Sequence, residues 1–396
     1  MNQPTIPSTG RRRFLESAAG GLLILQPRTA FGTQANSAVE LGMIGCGGRG
    51  LWIGAHFVEH TGARFVAAAD AFRDRAEAFQ QKFKVDASRV HVGLDSYREL
   101  AGSRLDAVVI ESPPYYHPEQ VRAAVDASKH VFVAKPLAVD VPGCLSIRES
   151  GDRAKGKLSF LVDFQTRVRP AFQEAAARIH RGEIGAAVLG HVFYHAGRLR
   201  PRHRPGAPEE ENRLRNWVFD IALSGDIIVE QNIHVIDTAN WYLQSHPTQA
   251  FGTGGRKARV DYGDCWDHFL VQFWYPNDVR VDFSSAQFTR GWDDLCIRIH
   301  GSRGTADTHY GGLVRISGDN AWNGTEKDDT FTGGAVTNVK NFIESVRTGQ
   351  YLNNVAESVD SNLTAILGRI AAYRQRVVTW DEMIRASERL EANLKL

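Results

Sequence analysis

A histidine between two acids offers the clearest acid–base chemistry in this sequence. In the segment Gly225-Asp-Ile-Ile-Val-Glu-Gln-Asn-Ile-His-Val-Ile-Asp237, Glu230 precedes His234 by four residues and Asp237 follows it by three. On one continuous helix the three side chains would share a face. A carboxylate beside an imidazole orients the ring and tunes its basicity, so Glu230 and His234 are predicted catalytic residues. The alternative is a helix N-terminus rich in acids, with a histidine in the core.

A glycine-rich turn predicts the binding of a dinucleotide. An apolar run from Val39 leads into Gly45-Cys-Gly-Gly-Arg-Gly50, and a helical segment follows. The pattern Gly-x-Gly-x-x-Gly between a strand and a helix is typical of such sites. The first glycine makes the turn, the second admits the pyrophosphate and the third packs helix on strand, while the helix N-terminus binds the anion. The predicted cofactor-binding residues of the turn are Gly45, Cys46, Gly47, Gly48, Arg49 and Gly50.

The next strand, Arg64 to Asp70, ends in a carboxylate about 20 residues after the turn. A carboxylate at this position binds the ribose hydroxyls and favours NAD. Arg73 or Arg75 could instead accept a 2′-phosphate, which leaves NADP as an alternative.

Lys135 is the third candidate catalytic residue. It follows the apolar strand His130-Val-Phe-Val-Ala134, and Pro136 restricts its backbone to extended conformations. Ligands of parallel sheets bind outside the carboxyl ends of strands, and Pro114, His117 and Lys135 fall at such ends, so all three are predicted to contact the cofactor. Near a positively charged nicotinamide a desolvated lysine has a lowered pKa. The alternative is a lysine that faces solvent.

Two further segments are candidates for substrate binding. Gln165 and Arg167 lie at a predicted domain junction, where they reach a polar substrate or, alternatively, only cap a helix. The segment Arg198-Leu-Arg-Pro-Arg-His-Arg-Pro205, together with Trp217, suits an anionic or sugar-like ligand. The alternative for this segment is a solvated loop balanced by nearby acids.

The elements that position these residues predict an α/β protein with two domains. Strands alternating with helices over residues 38–165 predict a Rossmann domain, a doubly wound parallel sheet. From residue 166 to 396 the strands alternate apolar and polar residues, which predicts an α+β domain with an open, mainly antiparallel sheet and closing helices. A chain of 396 residues exceeds the ~250–300 residues at which single cores stop growing.

Composition excludes several classes of function. The net charge of +2 gives no support for nucleic-acid binding. The four cysteines are scattered without a Cys-x-x-Cys pair, so no metal site is predicted.

The N-terminal residues 1–33 resemble a twin-arginine signal peptide. Arg11-Arg-Arg-Phe-Leu15 precedes a short apolar run, Ala18 to Leu25, which is far below the ~20 residues of a spanning helix. We therefore expect export to the periplasm or another extracytoplasmic space, without stable membrane insertion.

In this order, the motifs resemble the glucose–fructose oxidoreductase / inositol dehydrogenase (Gfo/Idh/MocA) family. The motifs are the glycine turn, Ser112-Pro-Pro with His117, Lys135-Pro136, Phe164-x-x-Arg-x-x-Pro170, Glu230-x-x-x-His-x-x-Asp237 and Thr379-Trp-Asp-Glu382. The resemblance implies oxidation of sugar or polyol hydroxyls with NAD(P), with Lys135, Glu230 and His234 at the family's functional positions. It also implies a homodimer or homotetramer.

The chain departs from the family pattern at three positions, where Ala134, Glu230 and Asn232 replace the usual Glu, Asp and Gly. With the amide of Asn232 added, the predicted substrate residues are Gln165, Arg167, Trp217 and Asn232.

Two reactions agree with these residues. The first is net oxidation of a sugar or polyol by NAD(P). The second is redox-neutral glycoside hydrolysis, in which a tightly bound NAD oxidises the sugar transiently and recovers the hydride. Export favours a cofactor that stays bound, because an exported enzyme has no obvious nicotinamide pool. A non-catalytic sugar or nucleotide sensor is the third hypothesis, and Lys135 and His234 count against it.

Overall fold

The computed structural model describes residues 38–394, so the predicted signal peptide, residues 1–33, lies outside the described part of the chain. Six parallel strands form the first sheet, in the order β3-β2-β1-β4-β5-β6. They are β1 Glu40–Ile44, β2 Arg64–Asp70, β3 Val90–Val92, β4 Ala107–Ile110, β5 His130–Val133 and β6 Phe160–Val162. The connecting helices are α1 Gly48–Thr61, α2 Arg73–Phe83, α3 Tyr97–Gly102, α4 His117–Asp126 and α5 Val141–Ala154.

This sheet confirms the predicted doubly wound domain. All four residues of β4 are buried, as expected for a parallel strand covered by helices on both faces. The strand order reverses between β1 and β4, which opens a crevice at the carboxyl ends of these two strands.

Nine strands form the second sheet, in the order β14-β13-β12-β11-β7-β10-β9-β8-β15. They are β7 Ala187–Gly197, β8 Gln249–Gly255, β9 His268–Trp274, β10 Arg280–Thr289, β11 Asp294–Gly301, β12 Gly304–His309, β13 Val314–Gly318, β14 Trp322–Thr325 and β15 Val378–Thr379. Strands β7 and β10 pair in parallel, and the other neighbours are antiparallel. The mainly antiparallel open sheet is therefore confirmed.

The remaining helices lie beside the second sheet or return to the first. They are α6 Pro170–His180, α7 Glu209–Arg215, α8 Ile221–Ser224, α9 Ile227–Glu230, α10 Ile233–Leu243, α11 Thr330–Thr348, α12 Val355–Arg374 and α13 Trp380–Ala386. On α11, the ring of Phe342 packs edge-on against Phe57 and Phe132, with centroid distances of 6.2 and 5.6 Å. The chain after the second sheet thus helps to cover the first. The predicted boundary at residue 165 falls between β6 and β7 and stays a prediction.

Among the described residues, none of the helices combines the length and the apolar character needed to cross a bilayer.

Candidate functional site

The glycine turn between β1 and α1 is built for close approach. Gly45 has φ +90°, and a Cβ there would lie 2.5 Å from the backbone nitrogen of Ser112. A Cβ at Gly50 would lie 2.1 Å from the carbonyl oxygen of Gly45 and 3.5 Å from Sδ of Met43 in β1, so α1 packs closely against the end of this strand. At Gly47 the nearest atom to a Cβ is 3.8 Å away, on Arg75. This open face leaves room for a pyrophosphate, so the turn fits a dinucleotide.

Asp70 ends β2 and anchors the turn. Its Oδ2 accepts a hydrogen bond from the backbone N–H of Cys46 at 2.7 Å, and its Oδ1 accepts one from Phe72 at 2.8 Å. Burial raises the pKa of this carboxyl. The amide of Cys46 is thus already engaged, and its buried Sγ lies 3.6 Å from the carbonyl oxygen of Ala69. The prediction that Cys46 contacts the cofactor is corrected: it holds the turn against β2.

A cavity of about 1190 Å³ opens along this turn. That volume slightly exceeds the ~300–1,000 Å³ of ordinary small-molecule sites. One wall consists of the turn, the end of β2 with Asp70, and the start of α2 with Arg75. The other wall comes from residues 199–204 and 214–219. We call residues 198–219 the cover segment. Residues 202–206 of this segment are exposed, and Arg204 also pairs with Glu211 at 3.4 Å, so the alternative of a solvated loop balanced by nearby acids stays open.

Charged contacts hold the cover segment to the first sheet's helices. Asp74 on α2 accepts hydrogen bonds from Arg215 at 2.8 and 3.2 Å and from Arg204 at 3.3 Å. The guanidinium of Arg215 also lies over the ring of Phe72, 3.8 Å from its centroid. Within the segment, the side chain of Asn216 accepts the backbone N–H of Arg202 at 2.6 Å. Trp217, a predicted substrate residue, lines the cavity from this side.

Arg49, in the first turn of α1, faces the same cavity. Its Nε donates to Glu111 at 3.3 Å, and its Nη2 pairs with Asp163. The guanidinium also lies 4.6 Å from the centre of the Trp52 ring. The charge of Arg49 is therefore largely balanced by protein carboxylates.

Lys135 reaches Glu230, but not in the way the sequence predicts. Its Nζ donates to the main-chain oxygen of Glu230 at 2.7 Å and to the carboxylate Oε1 at 3.3 Å. The helix is interrupted after Glu230 by a turn at residues 231–232, and His234 belongs to the next helix, α10. The prediction of one continuous helix face, with Glu230 holding the imidazole, is wrong, because the carboxylate faces the lysine.

His234 is buried beside Lys135. Burial, followed by the positive charges of Lys135 and Arg49, lowers its pKa well below the usual value, so the ring is neutral at pH 7. Its centroid lies 5.1 Å from that of Tyr310, and its Nδ1 has no hydrogen-bond partner among the described residues. A neutral imidazole can act as a general base for a bound ligand.

Arg167 and Gln165 are engaged within the protein. Nε of Arg167 donates to both carboxylate oxygens of the buried Asp237, at 3.2 and 2.9 Å, and Nη2 adds a bond of 2.8 Å. Gln165 donates to Asp163 at 2.8 Å and accepts from Tyr310 at 3.2 Å. The prediction that Arg167 contacts substrate is corrected, because its guanidinium already binds the carboxylate of Asp237.

His117 and Pro114 do not line the cavity. Both residues are buried, and the neighbouring Pro113 occupies the cavity wall instead. The ring nitrogens of His117 face the carbonyl oxygens of Pro136 at 2.9 Å and Ser112 at 2.8 Å. Burial lowers the pKa of His117 to about 4, against the opposite effect of these carbonyls. The predictions that His117 and Pro114 contact the cofactor are corrected. Instead, His117 connects the loop after β4 to the loop after β5.

Asn232 lies in the turn between α9 and α10. It is 1% exposed, and its Oδ1 has no hydrogen-bond partner among the described residues. A buried amide oxygen without a partner is costly unless a ligand or water satisfies it. Its role in substrate binding stays a prediction.

Sequence reasoning missed three acids, of which Glu111 and Asp74 line the cavity and Asp163 is buried behind Arg49. Glu111 follows β4, Asp163 follows β6 and Asp74 lies in the first turn of α2. Glu111 and Asp163 stand at strand ends, where ligands of parallel sheets bind, and that position was the available signal. No local signal linked Asp74 to the cover segment, because its arginine partners lie more than 100 residues away.

Comparisons with known proteins agree with this geometry. Residues 39–160 match the oxidoreductase family with an NAD-binding Rossmann fold (GFO_IDH_MocA), and residues 172–307 match the GFO/IDH/MocA C-terminal domain. Inositol 2-dehydrogenase of Rhizobium meliloti (strain 1021) is 26% identical, with 85% of this chain and 96% of that protein covered. Inositol 2-dehydrogenase 3 of Saccharopolyspora erythraea is 28% identical, with coverage of 67% and 72%.

Two solved structures share the fold. Scyllo-inositol dehydrogenase from Lactobacillus casei, with bound NAD(H) and scyllo-inositol, superposes with a TM-score of 0.69 at 17% identity. The match covers 87% of this chain and 100% of that one. Aldose-aldose oxidoreductase from Caulobacter crescentus gives a TM-score of 0.70 at 16% identity, with the same coverage.

Proposed function

Because the chain belongs to the Gfo/Idh/MocA family of NAD-binding oxidoreductases, we propose that it oxidises a hydroxyl group of a polyol or sugar, with NAD as the hydride acceptor. One observation carries this proposal. Nζ of Lys135 donates to the main-chain oxygen of Glu230, four residues before His234, and burial, followed by the charge of this ammonium, lowers the pKa of the His234 ring. A hydrogen-bond donor for an alkoxide and an acceptor for its proton are thus neighbours. The names of the inositol dehydrogenases that match the chain support a polyol as the substrate.

In the proposed reaction, the ammonium of Lys135 donates a hydrogen bond to the reacting hydroxyl and stabilises the negative charge that develops there. Its contacts with Glu230 limit where the ammonium points. The imidazole of His234 takes the hydroxyl proton, because its lowered pKa keeps the ring neutral. When NAD is bound, its nicotinamide accepts the hydride.

The test offers inositols and free sugars with NAD and follows the formation of NADH. Lys135→Ala and His234→Ala should each lower kcat by about 10²–10⁴-fold while the Kd for NAD stays within a few-fold. Lys157→Ala, at an exposed position away from the site, is the matched control. Full rates in both site variants would show that these residues are not catalytic.

The redox-neutral glycosidase is distinguished in the same experiment. Cleavage of aryl glycosides without net NADH would replace the proposed dehydrogenase reaction with that alternative. Steady NADH formation from a polyol and free NAD would exclude it as the main activity. Relatives named dehydrogenases support the oxidoreductase.

We also propose that NAD is held tightly. The cover segment forms one wall of the cavity and is tied to α2 through Asp74, which supports retention of a bound dinucleotide. The signal-like residues 1–33 support export by the twin-arginine route, which carries folded proteins. Copurification of NAD with protein isolated from the periplasm tests both points. Arg11→Lys/Arg12→Lys should leave the protein in the cytoplasm.

Self-association through the second sheet is a further part of the proposal. Phe251, Leu270 and Phe288 share its outer face and are 43%, 55% and 37% exposed. An apolar face of this kind supports a homodimer or homotetramer. Light scattering measures the mass in solution, and Leu270→Glu should shift it towards the monomer.

A further inference from the structure

Glu111 is a buried carboxylate that the proposed reaction leaves without a role. It follows β4 directly, and its side chain is 0% exposed although it contributes to the cavity wall. Oε2 accepts the hydrogen bond from Arg49, whereas Oε1 has no partner among the described residues. A buried carboxylate oxygen without a partner is costly unless a ligand or water satisfies it.

Strand pairing places Glu111 beside Ala134, the residue that precedes Lys135. Ile110 pairs with Val133, and the backbone N–H of Ala134 donates to Ile110 at 3.0 Å. Glu111 and Ala134 therefore follow neighbouring strand ends. Ala134 carries no charge, so Glu111 supplies the carboxylate at these two strand ends.

The position of Glu111 indicates which half of a bound dinucleotide would lie beside it. A dinucleotide spans the crevice where the strand order reverses, with its pyrophosphate at the glycine turn. Asp70 marks the adenosine half on the β2 side of that turn. Glu111 lies on the other side, next to Lys135, where the nicotinamide half belongs.

Charges on three elements face Glu111. Arg49 from α1 and Lys135 after β5 are positive, and Asp163 after β6 is negative. Burial nevertheless raises the pKa of Glu111 to about 7, with Arg49 acting in the opposite direction. The charge of this side chain therefore changes near neutral pH.

We propose that Glu111 is a positioning residue for the nicotinamide, and that its carboxylate favours the oxidised ring over the reduced one. The oxidised ring carries a positive charge and the reduced ring is neutral, so a buried carboxylate stabilises only the oxidised form. The inference rests on the NAD-binding part of the proposed function and does not depend on which polyol is oxidised.

The experiment measures binding preference rather than turnover. Protein is equilibrated with a fixed mixture of NAD⁺ and NADH without substrate, and the bound ratio is determined after rapid filtration. Glu111→Gln keeps the size of the side chain and removes its charge. It should lower bound NAD⁺ relative to NADH by about tenfold at pH 8. Glu119→Gln, an exposed position on α4, should leave the ratio unchanged.

Two further measurements distinguish the role of Glu111 from a simple folding defect in the variant. In the wild type the NAD⁺ preference should rise as the pH passes through about 7, and in Glu111→Gln it should stay flat. Glu111→Ala/Ala134→Glu returns a carboxylate to the neighbouring strand end and should restore part of the preference.

The outcomes separate this inference from the proposed function. A folded Glu111→Gln protein that binds both forms in the wild-type ratio overturns the role of Glu111 alone. A wild-type protein that binds neither form overturns the NAD-dependent function itself, and this inference with it.

Discussion

Asp74 should control how long the dinucleotide stays bound. It is the residue on α2 that pairs with two arginines of the cover segment, Arg204 and Arg215. The hydrogen bond from Arg215 lowers the pKa of Asp74, so the carboxylate is charged at neutral pH. Asp74→Ala removes both ion pairs at once and leaves the glycine turn untouched.

The size of the effect follows from the exposure of these groups. The Asp74 side chain is 48% exposed, which places its contacts among the weak surface pairs. Arg215 is only 11% exposed and donates to Asp74 from two nitrogens, so its pair contributes more to stability than the pair of Arg204. We expect a loss of about 1–2 kcal/mol from the closed state. If release requires opening of the cover segment, NAD should dissociate about 5–30-fold faster.

The assay follows the release of NADH fluorescence after mixing with excess unlabelled NAD⁺. Arg204→Ala should change the rate in the same direction by a smaller factor. Arg73→Ala, next to Asp74 but paired with Glu77 at 3.8 Å, is the control. An unchanged dissociation rate in Asp74→Ala would refute the idea that the cover segment retains the cofactor.

Three other predictions test the site and its supports. Gly50→Ala should abolish NAD binding, because its Cβ would lie 2.1 Å from a carbonyl oxygen, whereas Gly102→Ala, away from the cavity and with no atom within 4 Å of its Cβ, should bind normally in calorimetry. Arg167→Leu should lower the free energy of unfolding by about 3 kcal/mol in urea titrations, because it leaves the buried Asp237 carboxylate without its cation. Below its unfolded pKa of about 6.5, His117 is protonated only in the unfolded state, so stability should fall from pH 6.5 to about 4, by up to about 3 kcal/mol. His117→Gln should flatten that part of the urea-derived stability profile, and an identical profile would contradict the assignment.

The glycine turn and Asp70 were predictable because their signal is local. A strand, a Gly-x-Gly-x-x-Gly turn, a helix and a second strand follow one another within about 30 residues. The structure adds the physical reason for each glycine, as in the contact between Gly50 and Gly45.

The contacts of Glu230 were not predictable from spacing. Residues four apart share a face only on an uninterrupted helix, and the turn at residues 231–232 breaks that condition. Likewise, Glu111 is brought next to Ala134 by strand register, which spacing along the chain does not encode. Long-range pairs such as Arg167 with Asp237 cannot be predicted from spacing for the same reason.

The shorter contact of Lys135 has an evolutionary consequence. Its Nζ binds the main-chain oxygen at position 230 more closely than the carboxylate there. Every amino acid supplies that oxygen. Position 230 is thus free to vary in its side chain without loss of the lysine's principal anchor. A lineage can sample new polar groups beside the substrate while the ammonium stays in place, and recognition can diverge independently of the chemical step.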